Sequence, residues 1–320
     1  MASSPAVSGS GVHRLNQATN VPVAECEGLQ RSRVGLGQRN MIGHQHVGIA
    51  DLLVNFDSFH EVDVAFIREY LDKVIAMTAD VAEVYIENLL ASAIAAEIIA
   101  GAGFDWIVID GEHAPNDIPS LLAQLQAMRG GTAEPVFRVP WNDAVTIKRA
   151  LDVGARSLLV PFIQNAHEAR AAVSAARYPP LGIRGVSVAP RANDYGRVRG
   201  YHRNAHLDTC VLVQLESRAA LNEIEAIAAV DGVDGIFLGP SDLAADFGHL
   251  GNPKHPDVQA AIQDAGQRIR AAGKSAGTLS GNVDDVEDLF DLGFNFTAAG
   301  SDVGLLARTA ENVAARFHKS

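Results

Sequence analysis

Two carboxylates, Glu216 and Asp242, stand where successive apolar runs end: CVLVQLE (210–216) closes on the first, and GIFLG (235–239) leads through Pro240-Ser241 to the second. Two carboxylates leave most positions of an octahedral hard cation open to water and substrate oxygens, which suits Mg²⁺ or Mn²⁺ in catalysis. A 2-oxo acid can chelate such an ion. The same residues also fit a plainer role, because each can cap the following helix or pair with an arginine, and Asp242 before Leu-Ala-Ala-Asp stands near a helix start. Spacing alone leaves both readings open.

Other polar residues close neighbouring runs. WIVID (106–110) ends in Asp110 and continues Gly111-Glu112-His113. A lone histidine is more often structural than catalytic, but an imidazole beside a metal-activated water can act as a general base near neutral pH. A carboxylate on its far nitrogen would fix the tautomer and raise its basicity. Asp152 is a candidate for that carboxylate, its plainer role being a polar residue late in a helix. Arg138 sits inside the apolar run PVFRV (135–139). A permanently charged guanidinium in such a wall needs an anion, and a developing enolate oxygen would supply one. Of five lysines, Lys73, Lys148, Lys254, Lys274 and Lys319, none ends an apolar run. A Schiff-base aldolase needs a desolvated lysine at the active rim, so metal-assisted enolisation is favoured.

The elements that must hold these residues follow an alternation of short apolar runs, Gly/Pro/Asp turns and amphipathic stretches, the pattern of parallel strands joined by helices. Beyond the four runs already quoted, SLLVP (157–161), SAGTL (275–279) and NFTAA (295–299) read as strands. EVYIENLL (83–90), followed by a helix over 92–100, supplies an eighth. Eight strands predict a (β/α)8 TIM barrel over 81–320, whose active site lies at the C-terminal ends of the strands. An open doubly wound sheet would place a GxGxxG loop after a strand, and none is present; Gly9-Ser10-Gly11 lies in a polar tail.

Residues 1–80 read as an irregular N-terminal extension. Up to about 45 they lack a sustained period and are expected to be disordered, while 59–77 carries one helical stripe, Val62, Phe66, Tyr70 and Val74. His44 and His46 lack a third ligand nearby and read as a solvated loop. The 320 residues, 48% of them hydrophobic, suffice for one large barrel. A net charge of −12 argues against a nucleic-acid or anionic-membrane binder. The longest apolar stretch, 89–104, is interrupted by Glu97 and too short to span a bilayer. Two distant cysteines, Cys26 and Cys210, and no signal segment fit a reducing cytoplasm.

The segments GFDWIVIDGEHAPND (103–117), FRVPWND (137–143), LLVPFIQNAHEA (158–169), RYPPLGIRGVS (177–187), VLVQLES (211–217) and VDGIFLGPSDLAADFGHLGNPKHPDVQAAI (233–262) together resemble the HpcH/HpaI family of class II, metal-dependent pyruvate aldolases. The likeness is strongest to the branch that cleaves 4-hydroxy-2-oxoheptanedioate, and it runs from about Ser92 to Phe317. It implies reversible cleavage to pyruvate and succinate semialdehyde in the catabolism of hydroxylated aromatic acids. It further implies a divalent metal (Mg²⁺, Mn²⁺ or Co²⁺) on Glu216 and Asp242, and pyruvate contacts from Gln214, Ser241 and Asp242. His113 becomes the base, Asp152 the residue that raises its basicity, and Arg138 the transition-state stabiliser, with Asp110 in support. It also implies a homohexamer, a trimer of dimers exchanging the last helix. The alternatives are a 2-dehydro-3-deoxyglucarate or deoxy sugar-acid aldolase, a lyase of CoA thioesters, and a non-catalytic metal-binding scaffold. One departure stands out: the family's first strand reads GLWLGL, whereas YIENLL (85–90) sets Glu87 and Asn88 at apolar positions. An unpaired charge facing the interior is costly, so the strand is expected either to shift or to weaken the barrel.

Overall fold

A computed structural model describes residues 82–318. The readings of 1–45, of His44 and His46, and of the 59–77 helix lie outside the described residues.

Eight parallel strands close into a barrel in sequence order. They are β1 (Glu83–Asn88), β2 (Trp106–Asp110), β3 (Glu134–Arg138), β4 (Ser157–Val160), β5 (Cys210–Leu215), β6 (Gly235–Leu238), β7 (Ser275–Leu279) and β8 (Phe296–Ser301). Around them run α1 (Ala93–Ala100), α2 (Ile118–Ala127), α3 (Ala144–Asp152), α4 (Ala166–Ala176), α5 (Tyr201–Asn204), α6 (Arg218–Leu221), α7 (Ile224–Ala228), α8 (Pro240–Asp246), α9 (Pro256–Ala271), α10 (Asp285–Asp291) and α11 (Asp302–Ala315). The chain therefore forms the expected (β/α)8 TIM barrel, and every expected strand appears with ends within two residues of its apolar run. No helix of the described residues is long and apolar enough to cross a membrane.

Alternation along the strands separates two layers. Ile86, Ile107, Ile109, Phe137, Leu158, Val213 and Ile236 face outward and pack with the helices. Tyr85, Trp106, Val108, Val136, Leu159, Leu212, Phe237 and Phe296 fill the interior. Tyr85 stacks on Phe296 with ring centroids 4.5 Å apart, and Trp106 and Phe237 meet the same ring edge-on. Glycine at 277 makes room for them, since a Cβ there would come 2.7 Å from the Phe237 ring. The interior below is thus plugged with aromatic side chains. Because side chains alternate with period two, the inward positions one step above Val108, Val136, Leu212 and Tyr85 are Asp110, Arg138, Gln214 and Glu87. Parity alone carries these four polar groups to the C-terminal mouth.

The loops at that mouth end in side-chain caps that start the next helices: Ser92, Asp117, Asp143, Asn165, Ser217 and Ser301 each accept a backbone N–H of the first turn. Asp302 does more. Its carboxylate accepts Leu89 N at 2.8 Å and Leu90 N at 3.2 Å, tying the end of β1 to α11.

The divergent first strand keeps its place rather than sliding out. It pairs with β2 without interruption, and its pairing to β8 carries one irregularity between Tyr85 and Glu87. Glu87 finds a partner in Arg138, 3.6 Å away. Asn88 does not: it is fully buried on the helix-facing side, and neither side-chain amide atom has a hydrogen-bond partner.

Candidate active site

Asp110 organises the mouth. Its Oδ1 accepts Arg138 Nε at 2.8 Å and Glu112 N at 2.9 Å, and both its oxygens lie 3.3 Å from His113 N. The turn after β2 therefore folds back over β3. Gly111 N donates to Arg138 O at 2.8 Å, and a Cβ at Gly111 would stand 2.7 Å from that oxygen, so a larger residue would push the turn off the strand. Burial alone would raise the Asp110 carboxyl, but the hydrogen bond and charge of Arg138 and the two backbone N–H groups outweigh it and hold the group ionised below its usual range.

Arg138 is almost wholly buried and lies near three carboxylates. Beyond Asp110, Glu112 Oε2 is 3.5 Å from Nε and Glu87 Oε1 is 3.6 Å from Nη2. Burial opposes its charge, yet the Asp110 hydrogen bond and the neighbouring carboxylates prevail and keep it protonated.

Across the mouth, Glu216 follows β5 and is buried. Gln214 Nε2 donates to its Oε1, and Phe162 N donates to Oε2 at 2.9 Å from a residue held at φ 55°. Glycine at 239 lets the turn from β6 pass against this carboxylate, because a Cβ there would come 2.7 Å from Glu216 Oε1. That turn leads directly into α8, whose first residues Pro240, Ser241 and Asp242 begin beside Glu216. Ser241 is exposed and Asp242 half-buried.

The electrostatics of this group show a deficit of positive charge. Burial pushes the Glu216 carboxyl up to about 7, and the charges of Glu112 and Asp242 add to the rise. Glu112 is also raised to about 7, first by burial and then, against the pull of Arg138, by Asp110, Asp242 and Glu87. Glu112 Oε2 and Gln214 Oε1 are buried without hydrogen-bond partners. Two raised carboxyls beside a third carboxylate, with buried oxygen acceptors left over, are donors of the type a hard divalent cation takes. Glu216, Asp242 and Glu112 fit such an ion.

His113 is exposed at the rim, with Nε2 3.5 Å from Glu112 Oε2. Within the chain its acidic neighbour is thus Glu112, whereas Asp152 at the end of α3 accepts a 2.7 Å hydrogen bond from the buried Arg184. Sequence reasoning brought Asp110, Arg138, His113, Gln214, Glu216 and Asp242 to one rim. It missed the parts of Glu112, Glu87 and Phe162. The acidic turn DGEH was a visible signal for Glu112; the Phe162 N–H carries no signal in a side-chain pattern.

Comparison with known proteins identifies the family of the chain. The family model described as HpcH/HpaI aldolase/citrate lyase matches residues 88–309. A protein of Klebsiella pneumoniae subsp. pneumoniae named 4-hydroxy-2-oxo-heptane-1,7-dioate aldolase is 57% identical over 229 residues, which make up 71% of this chain and 86% of that one. A Salmonella dublin protein of the same name is 54% identical over 71% of this chain and 87% of its own length. Among solved structures, an HpcH/HpaI aldolase/citrate lyase family protein from Burkholderia cenocepacia J2315 superposes with a TM-score of 0.75 at 37% identity, over 78% of this chain and 99% of that one.

Proposed function

Because the chain belongs to the HpcH/HpaI aldolase/citrate lyase family, we propose that it is a divalent-metal-dependent aldolase that cleaves 4-hydroxy-2-oxoheptanedioate reversibly to pyruvate and succinate semialdehyde. The observation that carries the reading is the charge-deficient carboxylate group at the mouth facing a fixed arginine. The identity of 54–57% to two proteins named for this substrate supports the choice of substrate over a sugar acid. Two of the three described lysines add to it: Lys274 donates to Val233 O at the opposite rim and Lys254 is paired with Asp285, so neither is placed to form a Schiff base, and the third, Lys148, lies within α3.

Mg²⁺ or Mn²⁺, or Co²⁺, held by Glu216 and Asp242, would supply Lewis-acid polarisation of the 2-oxo group. In the cleavage direction His113 accepts the proton of the 4-hydroxyl, the former O–H pair forms the second C4–O bond of the aldehyde, and the C3–C4 pair passes to the pyruvyl fragment as its enolate. Arg138, locked by Asp110, stabilises the enolate oxygen. Reprotonation at C3 gives pyruvate. Gln214 both orients Glu216 and, with the backbone at Ser241 and Asp242, contacts the pyruvyl carboxylate. A role for Asp152 in raising the basicity of His113 requires the two to meet between copies of the chain, since Arg184 holds Asp152 within one.

Assembly as a homohexamer is part of the same reading. In α11 Asp302 is the one buried residue, while Leu305, Leu306 and Val313 along the helix and Phe317 just beyond it are exposed. A helix so apolar on its open side is supported best by a second copy that covers it. The cytoplasm remains the inferred setting, supported by Cys210, a buried free thiol. Pyruvate release from 4-hydroxy-2-oxoheptanedioate, assayed against 2-dehydro-3-deoxyglucarate, tests the substrate; preference for the sugar acid would contradict it.

A further inference from the structure

Glu87 enters the mouth from β1, the strand in which this chain departs from its family's pattern, and the reaction proposed above leaves it without a part. Side chains alternate along β1, so Tyr85 fills the barrel interior while Glu87, two residues on, stands in the layer of Asp110, Arg138 and Gln214. Its Oε1 lies 3.6 Å from Arg138 Nη2, close enough to feel the charge but longer than a hydrogen bond.

Two carboxylates therefore share one guanidinium on unequal terms. Asp110 is fixed: it accepts Arg138 Nε at 2.8 Å and is itself gripped by the backbone N–H groups of Glu112 and His113. Glu87 is tied by charge alone. Among the described residues no hydrogen bond anchors its carboxylate, and the Tyr85 hydroxyl on the same strand is buried without a hydrogen-bond partner. The Glu87 side chain is 15% exposed, which leaves it free to move aside.

Neutralising a buried arginine does not account for Glu87. Asp110 already pairs with Arg138, and Glu112 lies 3.5 Å from the same Nε. Burial raises the Glu87 carboxyl, Arg138 pulls it back, and Asp110 adds to the rise, so a second anion at this guanidinium is tolerated rather than required. Because Asp110 takes Nε, an enolate oxygen on Arg138 must use the Nη nitrogens, and Nη2 is the one that Glu87 faces.

We propose that Glu87 is a displaceable counter-ion, which faces Arg138 Nη2 before substrate binds and competes for it with the enolate oxygen of the pyruvyl fragment. This rests on the role given to Arg138 in the proposed reaction. Glu87 is thus a positioning residue that acts through Arg138, and its charge weakens the hold of the mouth on planar 2-oxo anions.

Calorimetric binding of oxalate, a planar dianion resembling the pyruvyl enolate, to the full chain in saturating Mg²⁺ tests this. Glu87→Gln, equal in size and uncharged, should tighten oxalate by at least about fivefold, a gain that loss of a merely structural carboxylate would not produce. Glu87→Asp, whose carboxylate stands one methylene farther back, should give a smaller gain and covers failure of Glu87→Gln to fold. Arg138→Lys should weaken oxalate by at least about tenfold and shrink the Glu87→Gln gain in the double variant. Unchanged or weaker oxalate binding on removing the Glu87 charge, beside a weakened Arg138→Lys, would overturn the proposal and leave the role of Arg138 standing. No effect of Arg138→Lys would overturn both. A full gain kept in the double variant would mean repulsion without competition, and would equally overturn the proposal.

Discussion

Arg138 is the residue whose environment most constrains the chemistry. Asp110 takes its Nε and the backbone of the β2 turn grips Asp110 in return, so the guanidinium is aimed before substrate binds. A lysine would keep the charge but lose the forked geometry. Arg138→Lys should therefore lower kcat/KM for pyruvate release by about 10²-fold while metal affinity stays within a factor of a few, as read by steady-state kinetics and metal titration. His113→Ala should cost about 10²–10⁴-fold in kcat. The raised carboxyls make a second prediction. Glu112 and Glu216 have folded-state values of about 7 against an ordinary 4.5. Groups raised on folding contribute stability that is complete below the unfolded value and lost as pH climbs through the folded one. In chelator, the melting temperature should fall between about pH 4.5 and pH 7–8 by about 5 °C or more, and added Mg²⁺ should restore most of it at pH 8. A melting temperature that rises over this window in chelator would contradict the site's electrostatics.

Among the elements, β1 departs furthest from the expected strand, and its two polar residues fare differently. Glu87 points inward, where Arg138 is within reach; Asn88 points outward into the apolar layer and pairs with nothing through its side chain. Burying an amide without partners costs about 1–3 kcal/mol, so Asn88→Leu should raise stability by about that much, measured by urea unfolding, with activity unchanged. The contrast also marks how far sequence could reach. Strands such as WIVID and SAGTL were legible to the residue, because a parallel strand covered on both faces needs a continuous apolar run. Polar residues that close or interrupt the apolar runs marked Asp110 and Arg138, and in the structure period-two alternation turns them, with Gln214, inward to one mouth. The partner of Asp152 was not legible: Arg184 reaches α3 from the irregular segment between α4 and α5, where no period governs side-chain direction.

At the scale of the whole molecule, the proposed hexamer draws its support from the exposed apolar side of α11. Sedimentation or light scattering should report a hexamer, and Leu306→Glu together with Phe317→Glu should dissociate it at least to dimers. The proposed reaction turns on a metal ion at the mouth of the barrel, and that requirement is open to experiment. It is tested most directly by following pyruvate release from 4-hydroxy-2-oxoheptanedioate with Mg²⁺ or Mn²⁺ and again after thorough chelation, in the unsubstituted chain and in Glu216→Gln. Metal-dependent release that chelation abolishes and metal restores is expected, with Glu216→Gln reduced by at least about 10²-fold. Release that persists without metal, or that survives loss of the Glu216 carboxylate, would contradict it.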